Sequence, residues 1–525
     1  MSFSIKHFFL FLIIISLSCE KKNVSTEENP TEIKGYVEYL KKIKDDPDGN
    51  NYYAGYKQVE LKKMLQRKNL LNQSRLNNDI EFEYGASAAE SATFTERGPQ
   101  NASGRTRAII TDYSDNTGNT YYAASIGGGI WKGVYDVSTM TMSWSNLTRD
   151  IENLDFVSLA QSKSNPLVLY AGTGEKSLSG DDNGSGIFKT IDGGSTWNNI
   201  APILSDGKMD PRFANVYRII VDPNDENTLL IATERKYWCD SYVYKSTDGG
   251  NSWSEVLEIA DCGSATQIIA APSDFNIQYV AVKRGNVFRS DDAGNTWTET
   301  SSFDVYEVDS WPFNSYHTRN EIVVSHSDPN KVYAIMFVRL TESHRYQINV
   351  TYDGGDNWYF VDENDKYGNP DYFNGGFGST YIGRQGSYNN FIAINPYYDS
   401  ILYVGDIDIH KFTIRNDTTK ISEELTDVYN YISDGLHKKN GYVHPDQHTM
   451  SVFADGSGNY RLVVGNDGGP AISNLSPDPG INDNDWQATE FMWAWSPKRD
   501  SDPQIDIGYR TTQIYYAAKV KGKNH

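Results

Sequence analysis

The sequence predicts an all-β fold, a β-propeller of four-stranded blades with seven blades favoured, behind a short helical N-terminal segment. Three observations carry that expectation. An eight-residue turn motif stands at Thr190–Trp197, Ser246–Trp253, Ser290–Trp297 and Thr351–Trp358. Its tryptophans recur at intervals of 44 to 61 residues, a period typical of units that bury their faces only against like neighbours. Upstream of each motif lies a second element, Asx-Pro followed by an apolar run with Tyr or Leu. It is found at Asp222-Pro223 with Leu229, Asp328-Pro329 with Tyr333 and Asn395-Pro396 with Tyr403. Looser forms at Asp112/Tyr121, Asn165-Pro166/Tyr170, Pro272/Tyr279 and Asp455/Leu462 bring the units to seven. The third observation is composition: 13% aromatic residues and 43 glycines, with abundant Asn, Asp, Ser and Thr, describe short strands joined by tight turns. Disordered chains are poor in aromatics, and nothing points to a large helical domain.

Taken in order, residues 1–19 read as a lipoprotein-type signal peptide. Lys6 and His7 precede the apolar run Phe8–Ile15, and Ser16-Leu17-Ser18-Cys19 follows. The run is far short of the ~20 residues that span a bilayer. Cys19 is the expected lipidation site, with an ordinary signal peptide cut nearby as the alternative; both imply export. Residues 20–95 form a partly helical tether or pro-segment: Ile33, Val37, Leu40 and Ile43, then Leu61, Met64 and Leu65, keep helical spacing. Residues 96–525 are the propeller. After the seventh unit, Thr512–Val520 looks like one more strand, which either completes the ring or begins a blade of a longer protein.

Within each motif, the Asp carboxylate is expected to accept hydrogen bonds from the N–H groups of its own turn. The glycines supply positive φ, and the Trp begins the next strand and buries its ring between neighbouring sheets. Asp192, Asp248, Asp292 and Asp353 are thus structural residues. A unit reads as four strands, for example Val216–Val221, Thr228–Thr233, Tyr242–Ser246 and Ser252–Leu257. With strands named A to D from the axis outward, the Asx-Pro and motif turns share one face. The long B–C and D–A connections share the other, where long loops on a rigid scaffold carry function.

The functional residues are therefore sought on the long-loop face. Arg105, Arg107, Trp238, Trp311, Tyr316, Tyr388, His444 and His448 are the candidate ligand-binding residues, because rings beside polar groups suit sugar faces or extended peptides. A glycosidase would need two facing carboxyl groups, and Glu175, Asp406, Asp408, Asp446 and Asp467 are the candidates. His444 and His448 flank Asp446, which fits a metal pair, but buried hydrogen bonding is the favoured role and no metal site is expected. No cofactor is expected either; Ca²⁺ at Asp181 and Asp182 is a weak exception. Cys239 and Cys262 flank one hairpin and are candidates for a disulfide in an exported protein. A net charge of −21 excludes a phosphate-backbone binder.

The four motifs resemble the Asp-box (BNR) repeat, S/T-x-D-x-G-x-T/S-W. The segments Gly98–Arg107, Gly383–Asn390, Val443–His448 and Gly465–Gly469 extend the resemblance to the exported glycosyl hydrolase-like Asp-box proteins of Bacteroidetes. More distantly, they are similar to xyloglucanase and sortilin-type propellers. The resemblance, over about Glu96 to Lys519, implies a propeller. No Phe-Arg-Ile-Pro-type segment supports a sialidase. The expected function is an exported propeller, anchored by lipid at the outer membrane or cell surface, periplasm-facing or extracellular. It would bind a polysaccharide or extended peptide through its long-loop face. The alternative is a xyloglucanase-like glycoside hydrolase.

Overall fold

The computed structural model describes residues 104–488 except 150, 152–153, 178–179, 182–183, 235–240, 261–263, 284–285, 302–318, 340–343, 362–387, 416–418, 427–442 and 481–485. It also describes Val59, Lys62, Lys63 and Gln66, which are helical. The expectations for the signal peptide, Cys19 and Thr512–Val520 fall outside these residues, as do those for Trp238, Cys239, Cys262, Trp311 and Tyr316.

Seven antiparallel four-stranded sheets follow one another along the chain. Their strands, A to D, run as follows. Blade 1 is Thr106–Thr111, Thr120–Ser125, Gly129–Asp136 and Thr141–Asn146. Blade 2 is Phe156–Gln161, Leu169–Thr173, Ile187–Thr190 and Asn198–Asn199, with a small hairpin, Lys176–Ser177 and Gly180–Asp181, between B and C. Blade 3 is Asn215–Asp222, Asp225–Glu234, Ser241–Ser246 and Ser254–Ile259, and blade 4 is Ala265–Ala271, Asp274–Val282, Val287–Ser290 and Thr298–Glu299. Blade 5 is Asn320–Val324, Val332–Arg339, His344–Thr351 and Tyr359–Phe360, and blade 6 is Phe391–Ile394, Ile401–Gly405, Ile409–Arg415 and Thr419–Glu424. Blade 7 is Gln447–Ala454, Tyr460–Asn466, Gly469–Ser473 and Trp486–Ala488.

Each A strand packs against the A strands of both neighbours, and strand A of blade 7 packs against strand A of blade 1. The seven sheets therefore surround one axis, and the ring closes among the described residues without Thr512–Val520. Since alternate residues of a strand face opposite sides, each sheet offers one apolar face to each neighbour. The core is accordingly divided among seven interblade clusters. Between blades 2 and 3, Tyr170, Ile187, Phe213, Val216 and Ile231 pack together. Between blades 7 and 1, Ile109, Tyr121, Trp131, Val463 and Ile472 do so. Arg461 of blade 7 adds a polar clasp at closure by donating to Asn119 Oδ1 at 2.7 Å.

The Asp-box turns show why the motif recurs. In blade 3, Asp248 Oδ1 accepts from the Ser252 amide (2.9 Å) and the Ser246 hydroxyl (2.8 Å), and its Oδ2 accepts from the Ser252 hydroxyl (2.6 Å). Ser246 Oγ also accepts from the Gly250 amide at 2.8 Å. Asp192, Asp292 and Asp353 repeat the arrangement. The Trp rings join the cluster shared with the preceding blade: Trp197 that of blades 1 and 2, Trp253 that of 2 and 3, and Trp297 that of 3 and 4. One detail differs from expectation. Trp253 ends the turn, and strand D starts one residue later, at Ser254, because Ser252 is held inside the turn by Asp248. Strand B of the same blade starts earlier than expected, at Asp225.

The Asx-Pro element binds blade to blade. Its Asx side chain closes the A–B turn, as in Asn330 N–H to Asp328 Oδ1 at 2.9 Å. The Tyr on strand B reaches the next blade's A–B turn: Tyr170 donates to the Glu226 carbonyl at 2.7 Å and Tyr279 to that of Pro329 at 2.9 Å.

Candidate functional site

Antiparallel pairing puts the start of each A strand and the end of each B strand on one face, the long-loop face. The Asp boxes lie on the other. Where the A strands begin, side chains from nearly every blade converge on the axis. Arg105 and Arg107 come from the start of blade 1, Tyr217 and Arg218 from blade 3, and Arg319 and Glu321 from blade 5. Tyr388 precedes blade 6, His448 starts blade 7, Glu175 follows strand B of blade 2, and Asp467 occupies the B–C turn of blade 7.

Six of the sequence-selected residues form a single network there. Arg105, only 2% exposed, donates to Glu175 Oε2 at 2.7 Å and to Asp467 Oδ1 at 3.1 Å. Arg107 donates to Glu175 Oε1 (2.6 Å), the Tyr388 carbonyl (2.8 Å) and His448 Nδ1 (2.8 Å). An arginine can only donate, so His448 Nδ1 accepts and the proton sits on Nε2, which donates to Asp467 Oδ1 at 2.7 Å. The Tyr388 hydroxyl donates to Asp467 as well, at 2.9 Å to Oδ2. Its ring lies 4.7 Å from the Arg105 guanidinium and 4.9 Å from that of Arg107, within cation–π range.

The charges follow from this geometry. Burial opposes ionisation of Glu175, but Arg107 and Arg105 outweigh it and hold the carboxyl below its usual value. Asp467 is also desolvated, and the His448 hydrogen bond with the Arg105 and Arg107 charges again keeps it ionised. Burial and the Arg107 charge push His448 down to about 3, so the imidazole is neutral at physiological pH. Glu175 and Asp467 are thus fixed anions whose role is to neutralise arginines.

Asp446 is the exception. It takes a left-handed backbone, φ 67°, which Asp tolerates better than most residues, and it accepts from Asn389 Nδ2 at 3.0 Å. Burial, with the nearby charges of Asp467 and Asp406, raises it from 3.8 to about 7. Asp406 and Asp408 occupy the B–C turn of blade 6, buried. There Asp406 Oδ1 accepts from the Asp408 amide at 3.1 Å, and Asp408 Oδ1 from the Thr426 hydroxyl at 3.1 Å. That turn is bound to the approach of strand A in blade 7, with the Asp446 amide donating to the Ile407 carbonyl at 3.1 Å. His444 donates from Nδ1 to the Pro445 carbonyl at 2.8 Å; burial lowers its imidazole, and the Asp467 charge works against that. No group of three or more His, Cys, Asp or Glu suited to a metal occurs among the described residues. Asp181 has a described backbone but no described side chain, and Asp182 lies outside the described residues.

Sequence reasoning missed the other half of the mouth. Arg218 and Arg319 both donate to the same oxygen, Oε1 of Glu321; the Arg218 contact is 3.1 Å and the Arg319 Nε contact 2.7 Å. With Arg107, Tyr217, Lys283 and His448 they line an axial pocket of about 90 Å³, several times the ~10–15 Å³ one water needs. The available signal was positional: Arg218 interrupts the apolar stretch of Asn215–Asp222, and Glu321 precedes that of Asn320–Val324.

Comparison with known proteins bears on the architecture. The sequence model of the Sortilin-Vps10 family (sortilin, neurotensin receptor 3) matches residues 241–370. A xyloglucanase of a Paenibacillus species is 27% identical over 153 residues, which are 29% of this chain and 13% of that protein. Among solved structures, an ancestral GH74 enzyme superposes with a TM-score of 0.53 at 16% identity, over 76% of this chain and 48% of its own. The GH74 xyloglucanase from Xanthomonas campestris gives 0.37 at 14% identity, over 76% of this chain and 69% of its own. The chain spans under half the length of the first of those structures and an eighth of the curated relative. The chain is a seven-bladed Asp-box β-propeller that resembles the xyloglucanase and sortilin types.

Proposed function

We propose that this protein is an exported binding propeller, lipid-anchored through Cys19 at the outer membrane or cell surface. It recognises an extended ligand, a polysaccharide in the first place and an extended peptide otherwise, with the mouth of its long-loop face. One observation carries the preference for binding over hydrolysis. Two acidic groups of the mouth are taken up as counter-ions, Glu175 of Arg105 and Arg107 and Asp467 of Arg105. A carboxylate so held is a poor proton donor, and a network tied on every side is suited to holding a shape. The similarity to xyloglucanases favours a glycan as the class to test first, and Cys239 and Cys262 are proposed to be bridged.

A glycoside hydrolase is the second reading, favoured by Asp446. A carboxyl near 7 close to one held ionised, Asp467, is the split in protonation that acid–base catalysis on a glycosidic bond employs. A glycan array, run in parallel with reducing-sugar release from every glycan bound, separates the two. Binding without release supports the first reading. Release that Asp446→Asn abolishes, with binding retained, establishes the second.

A further inference from the structure

On one side of the mouth two guanidiniums share one carboxylate: Arg218 of blade 3 and Arg319 of blade 5 both pair with Glu321. Arg107, which pairs with Glu175, lines the same pocket.

The crowding is visible at Arg319. Desolvation lowers its guanidinium below the usual value, Glu321 works against this, and the Arg218 and Arg107 charges lower it further. Arg218 and Arg319 share a single Glu321 oxygen, so one carboxylate satisfies part of two five-donor forks. Both line the axial pocket together with Arg107 and His448. Two guanidiniums that share one carboxylate oxygen are stabilised by a further anion, and the planar fork matches the two oxygens of a carboxylate.

Building on the glycan-binding reading above, we infer that the axial pocket between Arg107, Arg218 and Arg319 takes the carboxylate of an acidic sugar, a uronate, within the bound glycan. The pocket is large enough for a carboxylate and part of its ring, with the remaining sugars passing over the surrounding loop face. Specificity is then electrostatic at one subsite and weakens with salt, as a charge-based contact does.

The test compares an oligogalacturonate with its carboxyl-reduced counterpart, identical in length and linkage, by calorimetric titration of the full chain at low and high salt. Free galacturonate, a sulfated galactan and an acidic peptide serve as further probes. The expected result is at least tenfold tighter binding of the acidic oligomer than of its reduced form. The preference should shrink at high salt and fall to near parity in Arg319→Gln. Should Arg319→Gln fail to fold, as read from its melting curve, Arg218→Gln on the same pocket is expected to reduce the preference severalfold. Equal affinity for the acidic and reduced oligomers overturns the uronate subsite while leaving glycan binding intact. Tighter binding of the sulfated galactan or of the peptide overturns the assignment to a sugar carboxylate. Failure of every glycan, acidic or neutral, on the array overturns the binding reading itself.

Discussion

The third Asp box has a residue that does not suit its backbone. Where the other three boxes place glycine, with φ of 69°, 72° and 75° at Gly193, Gly249 and Gly354, it places Ala293 at φ 58°. A left-handed residue with a Cβ costs about 1–2 kcal/mol, and glycine's larger unfolded-state entropy recovers part of that. Ala293→Gly should therefore stabilise the protein by about 0.5–1 kcal/mol in chemical denaturation, and a loss of stability would show that the box is shaped by something other than local geometry. Asp446 makes a prediction of the opposite kind. Its value is raised in the fold from 3.8 to about 7, so its contribution is fully present below pH 4 and lost as pH rises through 7. Melting temperature, corrected for the rest of the chain by comparison with Asp446→Asn, should fall across that window in the wild type only. Arg105, Arg107 and Tyr388 were selected from sequence because their segments lead into A strands at the channel mouth. Their partners were not legible. The pairing of Arg105 with Glu175 and Asp467 joins blades 1, 2 and 7, and that convergence exists only once the ring has closed.

At the scale of strands, sequence was most informative where the physics is local. The Asp-box hydrogen bonds span four residues, so the motif could be read as a turn without knowing the rest of the chain. The displacement of strand D to Ser254 has the same local cause, because the bonds from Ser252 to Asp248 hold that residue inside the turn. Contacts between blades also explain glycines that carry no turn. Gly172 lies in strand B of blade 2, and a Cβ there would sit 2.3 Å from the Val216 carbonyl oxygen of blade 3 and from Ser158 Oγ. Backbone cannot yield as a side-chain tip can, so Gly172→Ala should cost about 1–3 kcal/mol by overpacking, measured by urea unfolding. Tyr170→Phe, which removes the bond from blade 2 to the Glu226 carbonyl, should cost about 0.5–1.5 kcal/mol. A neutral result for both would mean that adjacent blades are coupled less tightly than their packing indicates.

For the whole molecule, the architecture divides labour between two faces of a ring. The Asp-box face is made of short turns satisfied by their own side chains, and the boxes keep the same bonds from blade 2 to blade 5. The opposite face begins seven A strands beside one axis, and there distant segments contribute charged groups to a common network. This asymmetry follows from antiparallel four-stranded blades, and the period of the repeat made it foreseeable. The sharing of Glu321 by Arg218 and Arg319 was not foreseeable, because the two arginines are separated by a long stretch of sequence. The central claim is that recognition belongs to the long-loop face. Its most direct test is the affinity for a glycan selected on the array, measured for folded Tyr388→Ala, Trp238→Ala and Trp311→Ala beside Asn251→Ala and Asn295→Ala of the Asp-box turns. The account predicts losses of about 1–3 kcal/mol for the long-loop-face variants, the scale of aromatic hot spots, and wild-type affinity for the two Asn variants. Wild-type binding by the three long-loop-face variants, with loss in Asn251→Ala and Asn295→Ala, would contradict it.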